Sequence, residues 1–183
     1  MAFGRRLVAA MVCAALLVVG GCADDPEPTM TPPDETPTST SPSPSATATP
    51  EPWEKKTNAG AVAFAKHWID VFNEAQRTGD TSVMRELSAK SCGSCRRFAG
   101  TLDDLYSGGG RLESKGWRVL QVSSPQRASK QEATVALRLE QSPQTVHSSD
   151  GEVEEYPGGQ VTYSAELGWV AASWVMTEMV LLE

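Results

Sequence analysis

The sequence predicts an α+β domain over residues 53–183, with helices first and an antiparallel sheet after them. Two patterns predict it. From Asn58 to Tyr106 apolar residues return every three or four positions, the period of a helix with one buried face. After Gly116 they return every second position, the period of a strand with one buried face. A third observation sets the boundary. Residues 23–52 hold nine prolines, seven threonines and four serines and almost nothing large and apolar. Such a segment cannot bury enough surface to offset its ordering entropy.

Ahead of that segment stand Arg5 and Arg6, then the 13-residue apolar run Leu7 to Val19, then Gly20-Gly21-Cys22. A basic start, a short apolar stretch and small residues make the layout of a secretory signal. The run is too short to span a bilayer comfortably. A cysteine directly after two glycines resembles a lipobox, in which Cys22 takes a diacylglycerol thioether and becomes the new N-terminus. Two acyl chains suffice for stable anchoring. The expected organisation is a lipoprotein signal peptide over 1–21, a disordered Pro/Thr/Ser linker over 22–52 and one folded domain over 53–183. Stretched as polyproline II, the linker reaches about 90 Å, and its Thr and Ser clusters resemble O-glycosylated stalks.

The first helix is expected from about Asn58 to Arg77, with Ala61, Phe64, Ala65, Trp68, Val71, Phe72 and Ala75 on one face. Thr57 or Asn58 caps its start and Gly79 stops it. Asp80 caps a short second helix through Met84 and Leu87. A third begins near Ser94, presents Cys95, Phe98, Leu102, Leu105 and Tyr106, and ends at Gly108-Gly109-Gly110. Trp117 to Val122 is a β-rich run. Ala133, Val135, Leu137 and Leu139 alternate with polar or small neighbours, as do Val161, Tyr163, Ala165, Leu167 and Trp169. Trp174 to Leu182 is apolar on both faces apart from Thr177 and Glu178, which suits a central strand. Asp150-Gly151 suggests a hairpin turn between Gln141 and Gln160.

Several stretches together resemble a family of actinobacterial lipoproteins carrying a domain of unknown function. They are Gly60-x-x-x-Phe64-x-x-x-Trp68-x-Asp70, Thr78-Gly79-Asp80, Leu87-x5-Gly93 around the CxxC, Tyr106-Ser107-Gly108-Gly109 and Gly116-Trp117. The layout of a long amphipathic first helix wrapped by a curved sheet resembles the nuclear transport factor 2-like, or cystatin-like, cone. The resemblance implies that fold and no assigned activity, because the cone hosts both enzymes and binding modules.

The chain carries a formal charge of −7, and residues 53–183 hold 17 acidic and 14 basic side chains. That balance argues against nucleic acid, which is held by a basic face. Of four cysteines, Cys13 leaves with the signal and Cys22 takes lipid, so Cys92 and Cys95 are expected to form a disulfide. The alternative use of Cys92-Gly93-Ser94-Cys95 is thiol–disulfide exchange, helped by a helix N-terminus and by Arg96 and Arg97. No strand and crossover precede it, as a thioredoxin-like unit requires. Zinc would need His67 and His147, and neither has ligand spacing. His67, Asp70 and Glu74 fall away from the centre of the first helix's apolar face and are expected to meet water. Asp103 and Asp104 point about 100° apart on a helix and are expected to pair with Arg96 and Arg97. Trp117, Trp169 and Trp174 are the candidates for lining a ligand pocket.

These readings give an extracytoplasmic protein, lipid-anchored to the outer face of the cell membrane, whose domain is a non-catalytic ligand-binding or protein-interaction module. The expected partners are the membrane, through lipidated Cys22, and an envelope protein or small ligand, with no cofactor and no metal. The alternatives are a small cone-fold hydrolase, dehydratase or isomerase, and a thiol-redox protein.

Overall fold

Thr57 and Gly79 bound the first helix, as their chemistry requires. The computed structural model describes residues 50–123 and 126–182. In it α1 runs Asn58–Thr78, the Thr57 hydroxyl accepts from the Gly60 amide, and the Gly79 amide closes the last turn on the Ala75 carbonyl. Gly60 is where the chain before the helix, a 3-10 turn at Pro52–Glu54, crosses over it: a Cβ there would stand 1.9 Å from the Lys55 carbonyl oxygen. α2 is Ser82–Glu86, with the Asp80 carboxylate accepting from the Ser82 amide, and α3 is Gly93–Ser107. Residues 1–49, which include the expected signal peptide, Cys22 and most of the expected linker, lie outside the described residues.

The strands are β1 Arg111–Ser114, β2 Trp117–Val122, β3 Gln126–Ser129, β4 Glu132–Gln141, β5 Gln144–His147, β6 Val153–Tyr156, β7 Gly159–Val170 and β8 Ser173–Leu182. All pairings between them are antiparallel. The main sheet has the order β2-β4-β7-β8, with β3 also on β4, and a smaller sheet has the order β1-β5-β6. The two orders correspond. β1 leads into β2, β4 into β5 and β6 into β7, across Lys115-Gly116, Ser142-Pro143 and Pro157-Gly158. The small sheet is therefore the continuation of three long strands broken at one bend. Gly116 takes φ +80°, and a Cβ there would stand 2.6 Å from Asn73 Oδ1.

One core joins helices to sheet. Phe64, Trp68 and Phe72 are at most 3% exposed, as the first helix's period requires, and meet Val135, Leu137, Leu139, Ala165 and Leu167 from the sheet. Trp68 is wholly buried and donates its indole N–H to Ser88 Oγ at 3.0 Å. The α+β arrangement expected from the sequence is the one observed.

β8 differs from expectation. It is an edge strand, whose outer side is covered by the loop after α2: the Ala89 amide donates to the Met176 carbonyl and the Met176 amide to the Leu87 carbonyl. Its lost alternation comes from a β-bulge. Leu167 pairs with Met176 but Glu166 with Glu178, so Thr177 is an extra residue. The shift returns Met179 to the core after Trp174 and Met176. Among the described residues, no helix is long and apolar enough to cross a membrane.

Candidate functional site

The bend between the two sheets leaves a groove of about 410 Å³, bounded by α1 and α3 on one side and the small sheet on the other. Its floor is aromatic. Phe72 and Trp117 meet edge to face at 4.8 Å between ring centres, and Phe98 meets Trp117 at 5.9 Å. α3 adds Thr101, Leu102 and Leu105. The far wall follows strand alternation. Leu112, Val146 and Glu154 form one cross-strand row, Gln144 and Tyr156 the next, and all five face the groove. Their neighbours Arg111, Glu113 and His147 do not line it. His147 Nε2 instead lies 3.2 Å from Glu113 Oε1.

Trp117 is held by its backbone. Asn73 Nδ2 donates to the Trp117 carbonyl at 2.9 Å, and the Trp117 amide donates to Asn73 Oδ1 at 2.7 Å. One α1 side chain thus fixes the strand just after the bend, and with it the indole in the groove.

Among the described residues, two that border the groove each carry a buried polar atom with no hydrogen-bond partner. Gln76, 5% exposed, leaves its Oε1 unpaired, and Trp117, 7% exposed, leaves its Nε1 unpaired. An unsatisfied buried group of this kind costs about 1–3 kcal/mol. One is an acceptor and the other a donor. Gln76 extends the series Phe64, Trp68, Phe72 by one more step of four, so a polar side chain continues an apolar row. That break in the pattern was the available sequence signal.

The chemistry facing the groove is sparse. Its one pair of titratable groups is Tyr156 and Glu154, whose phenol donates to the carboxylate at 2.8 Å. Glu154 holds the Tyr156 phenol above its ordinary pKa, so the tyrosine stays protonated near neutral pH. Both residues are exposed.

The structure scatters the other candidates. His67 is half-buried rather than open, because its ring stacks on Trp53 at 4.2 Å with the planes 4° apart. Asp70 is exposed, and Glu74 is exposed and paired with Arg77. Asp103 does not pair with Arg96 or Arg97: it accepts from Thr81 Oγ1 at 2.8 Å and from Arg85 of α2. Arg85, with the Thr81 hydroxyl the larger cause, holds its carboxyl below the usual range. Trp174 is buried and donates its indole N–H to the Lys55 carbonyl at 2.9 Å. Trp169 packs edge to face on Trp174, and neither lines the groove that Trp117 lines. Among the described residues no cluster of three or more His, Cys, Asp or Glu side chains is placed to hold a metal ion.

Cys92 and Cys95 are at disulfide distance, 2.01 Å between sulfurs, and are 0% and 3% exposed. The N-terminus of α3, which would stabilise a thiolate, is already occupied. Glu178 accepts from the Gly93 amide at 3.0 Å and the Ser94 amide at 2.9 Å. Ser94 Oγ in turn accepts from the Met179 amide at 2.8 Å. The Ser94 and Gly93 donors keep the Glu178 carboxyl below its ordinary pKa. Sequence reasoning missed this cap, which joins residues some 85 positions apart.

A family model described as a family of unknown function (DUF6318) matches residues 34–180. The solved intermembrane space region of the chloroplast protein ARC6 is 14% identical, covering 69% of this chain and 96% of its own, at a TM-score of 0.52. An uncharacterized protein with a cystatin-like fold from Caulobacter vibrioides is 9% identical, covering 67% and 89%, at 0.43. An NTF-2 like protein of unknown function from Shewanella oneidensis is 11% identical, covering 67% and 99%, at 0.41. No curated protein sequence matches the chain. The likeness to the ARC6 region shows a shared fold, helices followed by antiparallel sheets.

Proposed function

The chain belongs to the DUF6318 family, whose function is unknown, and we propose that its folded part is a non-catalytic ligand-binding module with the groove as its site. The observation that carries the reading is the lining: mostly aromatic and aliphatic side chains and, among the described residues, no buried acid, base or nucleophile. Ligand sites of this size are mostly apolar with a few placed polar groups. The enzyme reading needs a general acid or base within reach of a bound reactant. Tyr156 and Glu154 are exposed and bonded to each other, which serves that reading poorly. The redox reading is served no better, since both sulfurs are buried and the α3 N-terminus is capped by a carboxylate.

The proposal includes the address. The module is a lipoprotein of the actinobacterial kind, carried outside the cell and held at the outer membrane face through Cys22. This rests on the order Arg5-Arg6, apolar run, Gly20-Gly21-Cys22. The residues that carry the family resemblance fit a binding scaffold. Phe64 and Trp68 are core, Gly60 admits the crossing chain, and Gly116 faces Asn73.

The test is to plug the groove. Thr101 is exposed on α3 and borders it. Nile red, neutral and apolar, should bind the protein at one saturable site. Thr101→Trp should weaken that binding about tenfold or more while leaving thermal unfolding unchanged. Equal binding by both proteins, or none by either, overturns the groove as the ligand site.

A further inference from the structure

We infer that the groove takes an organic cation: a protonated or quaternary amine carried on an apolar, ring-sized body. The inference rests on the groove being a ligand site and adds the charge which that site selects. Glu154 faces the groove from β6, directly across from Val146 of β5 and in one row with Leu112 of β1. It is the one formal charge on the lining, which holds no lysine, arginine or histidine. The Tyr156 phenol donates to its carboxylate at 2.8 Å and brings no charge to cancel it. Among the described residues no lysine or arginine pairs with Glu154.

The surroundings carry the same sign. After Arg138 the sequence holds no lysine or arginine up to residue 183, against eight acidic side chains. Three of these, Glu152, Glu154 and Glu155, lie in or beside β6, the edge strand of the small sheet. The rest of that sheet offers no compensation, since Arg111 of β1 is taken by Glu113 of the same strand. A cleft bordered by one sign of charge raises the local concentration of the opposite ion. Burial divides head from body. Glu154 and Tyr156 are exposed, whereas Phe98, Leu105, Leu112 and Val146 are half-buried and present apolar surface to the groove. A ligand whose body covers those four would leave its ammonium at the wet rim near Glu154, where it keeps its hydration and costs little to place. A carboxylate in the same position would meet like charge.

The experiment uses the full chain with Cys22→Ser, to prevent lipidation, and three probes of one shape followed by calorimetric titration at low salt. 2-Naphthylmethylammonium is a cation, 2-naphthalenemethanol is neutral and 2-naphthoate is an anion. The cation should bind about three- to fivefold more tightly than the alcohol, the gain of one exposed charge pair, and the anion weakest of all. That preference should shrink in about 0.5 M salt. Glu154→Gln should bring the ratio of cation to alcohol affinity close to one, and Glu154→Asp, which keeps the charge, should keep the preference. Glu155→Gln removes the same charge one residue away, on the opposite face of β6, and should leave most of the ratio standing. Thr101→Trp should weaken cation and alcohol together. A ratio near one before any change to Glu154, a ratio that Glu154→Gln leaves as it was, or one that falls as far with Glu155→Gln overturns the inference. Glu154 is then a charge that keeps an edge strand from pairing. If Nile red is still captured and is blocked by Thr101→Trp, the groove survives that failure. If neither Nile red nor any naphthyl probe binds, the inference and the proposed function fall together.

Discussion

Removing the charge from Glu178 should weaken the whole domain, in a way that depends on pH. Glu178 reaches from β8 to the start of α3 and accepts two amide hydrogens, at 3.0 and 2.9 Å. Glu178→Gln keeps the size and one oxygen. It loses the charge on both bonds, and its NH2 group faces an amide it cannot accept from. A bond to a charged group contributes about 1.5–3 kcal/mol against about 0.5–1.5 for a neutral one. The favourable charge at a helix N-terminus adds about 0.3–1 kcal/mol. The expected loss is therefore about 2–4 kcal/mol near neutral pH, a large share of the ordinary stability of a domain. The folded-state pKa of Glu178 is lowered, so its contribution is fully present above the ordinary glutamate value. It is lost as pH falls through the lower folded value. Urea unfolding of the full chain with Cys22→Ser, with and without Glu178→Gln, measured at steps from neutral to strongly acidic pH, reads both. The gap between the two proteins should close on acidification. A gap under about 0.5 kcal/mol at neutral pH, the range of ordinary surface substitutions, or a gap constant with pH, would refute the reasoning.

Two other outcomes are expected. Trp68→Ala, at a wholly buried position that also holds Ser88, should cost about 3–5 kcal/mol in urea unfolding; a cost near 1 kcal/mol would show that the site collapses readily. Cys22→Ala should move the protein from the membrane fraction to the medium or leave it unprocessed. A processed Cys22→Ala protein still in the membrane fraction would sink the lipid anchor.

Much of the fold was legible because it rests on local chemistry and period. The ends of α1 follow from Thr57 and Gly79, and the buried face of β4 from strict alternation. What was hidden is non-local. The four-residue strands β1 and β3 are too short to show a period, and β8 lost its period to the extra residue at Thr177. Asn73 and Glu178 look like surface polar residues until the fold brings each to a backbone segment far away in sequence. The groove was half visible. Trp117 was a candidate from its size, whereas Trp169 and Trp174, equally large, serve the corner where the chain enters. Its far wall depends on the bend, and no local pattern announces that Gln144, Glu154 and Tyr156 fold back over α1 and α3.

That entry corner has a mechanical consequence. Any tension arriving along the chain at residue 50 meets a clamp before it meets the helix. Trp53 lies flat on His67, the Lys55 carbonyl is gripped by the Trp174 indole, and Gly60 lets the strand of chain lie close against α1. Tension would first be shared between α1 and the β7–β8 hairpin, and the groove's far wall, made of β1, β5 and β6, carries none of these three attachments. A pull that peels away the first turn therefore loads α1, the groove's near side, and reaches the small sheet opposite it only through the body of the domain.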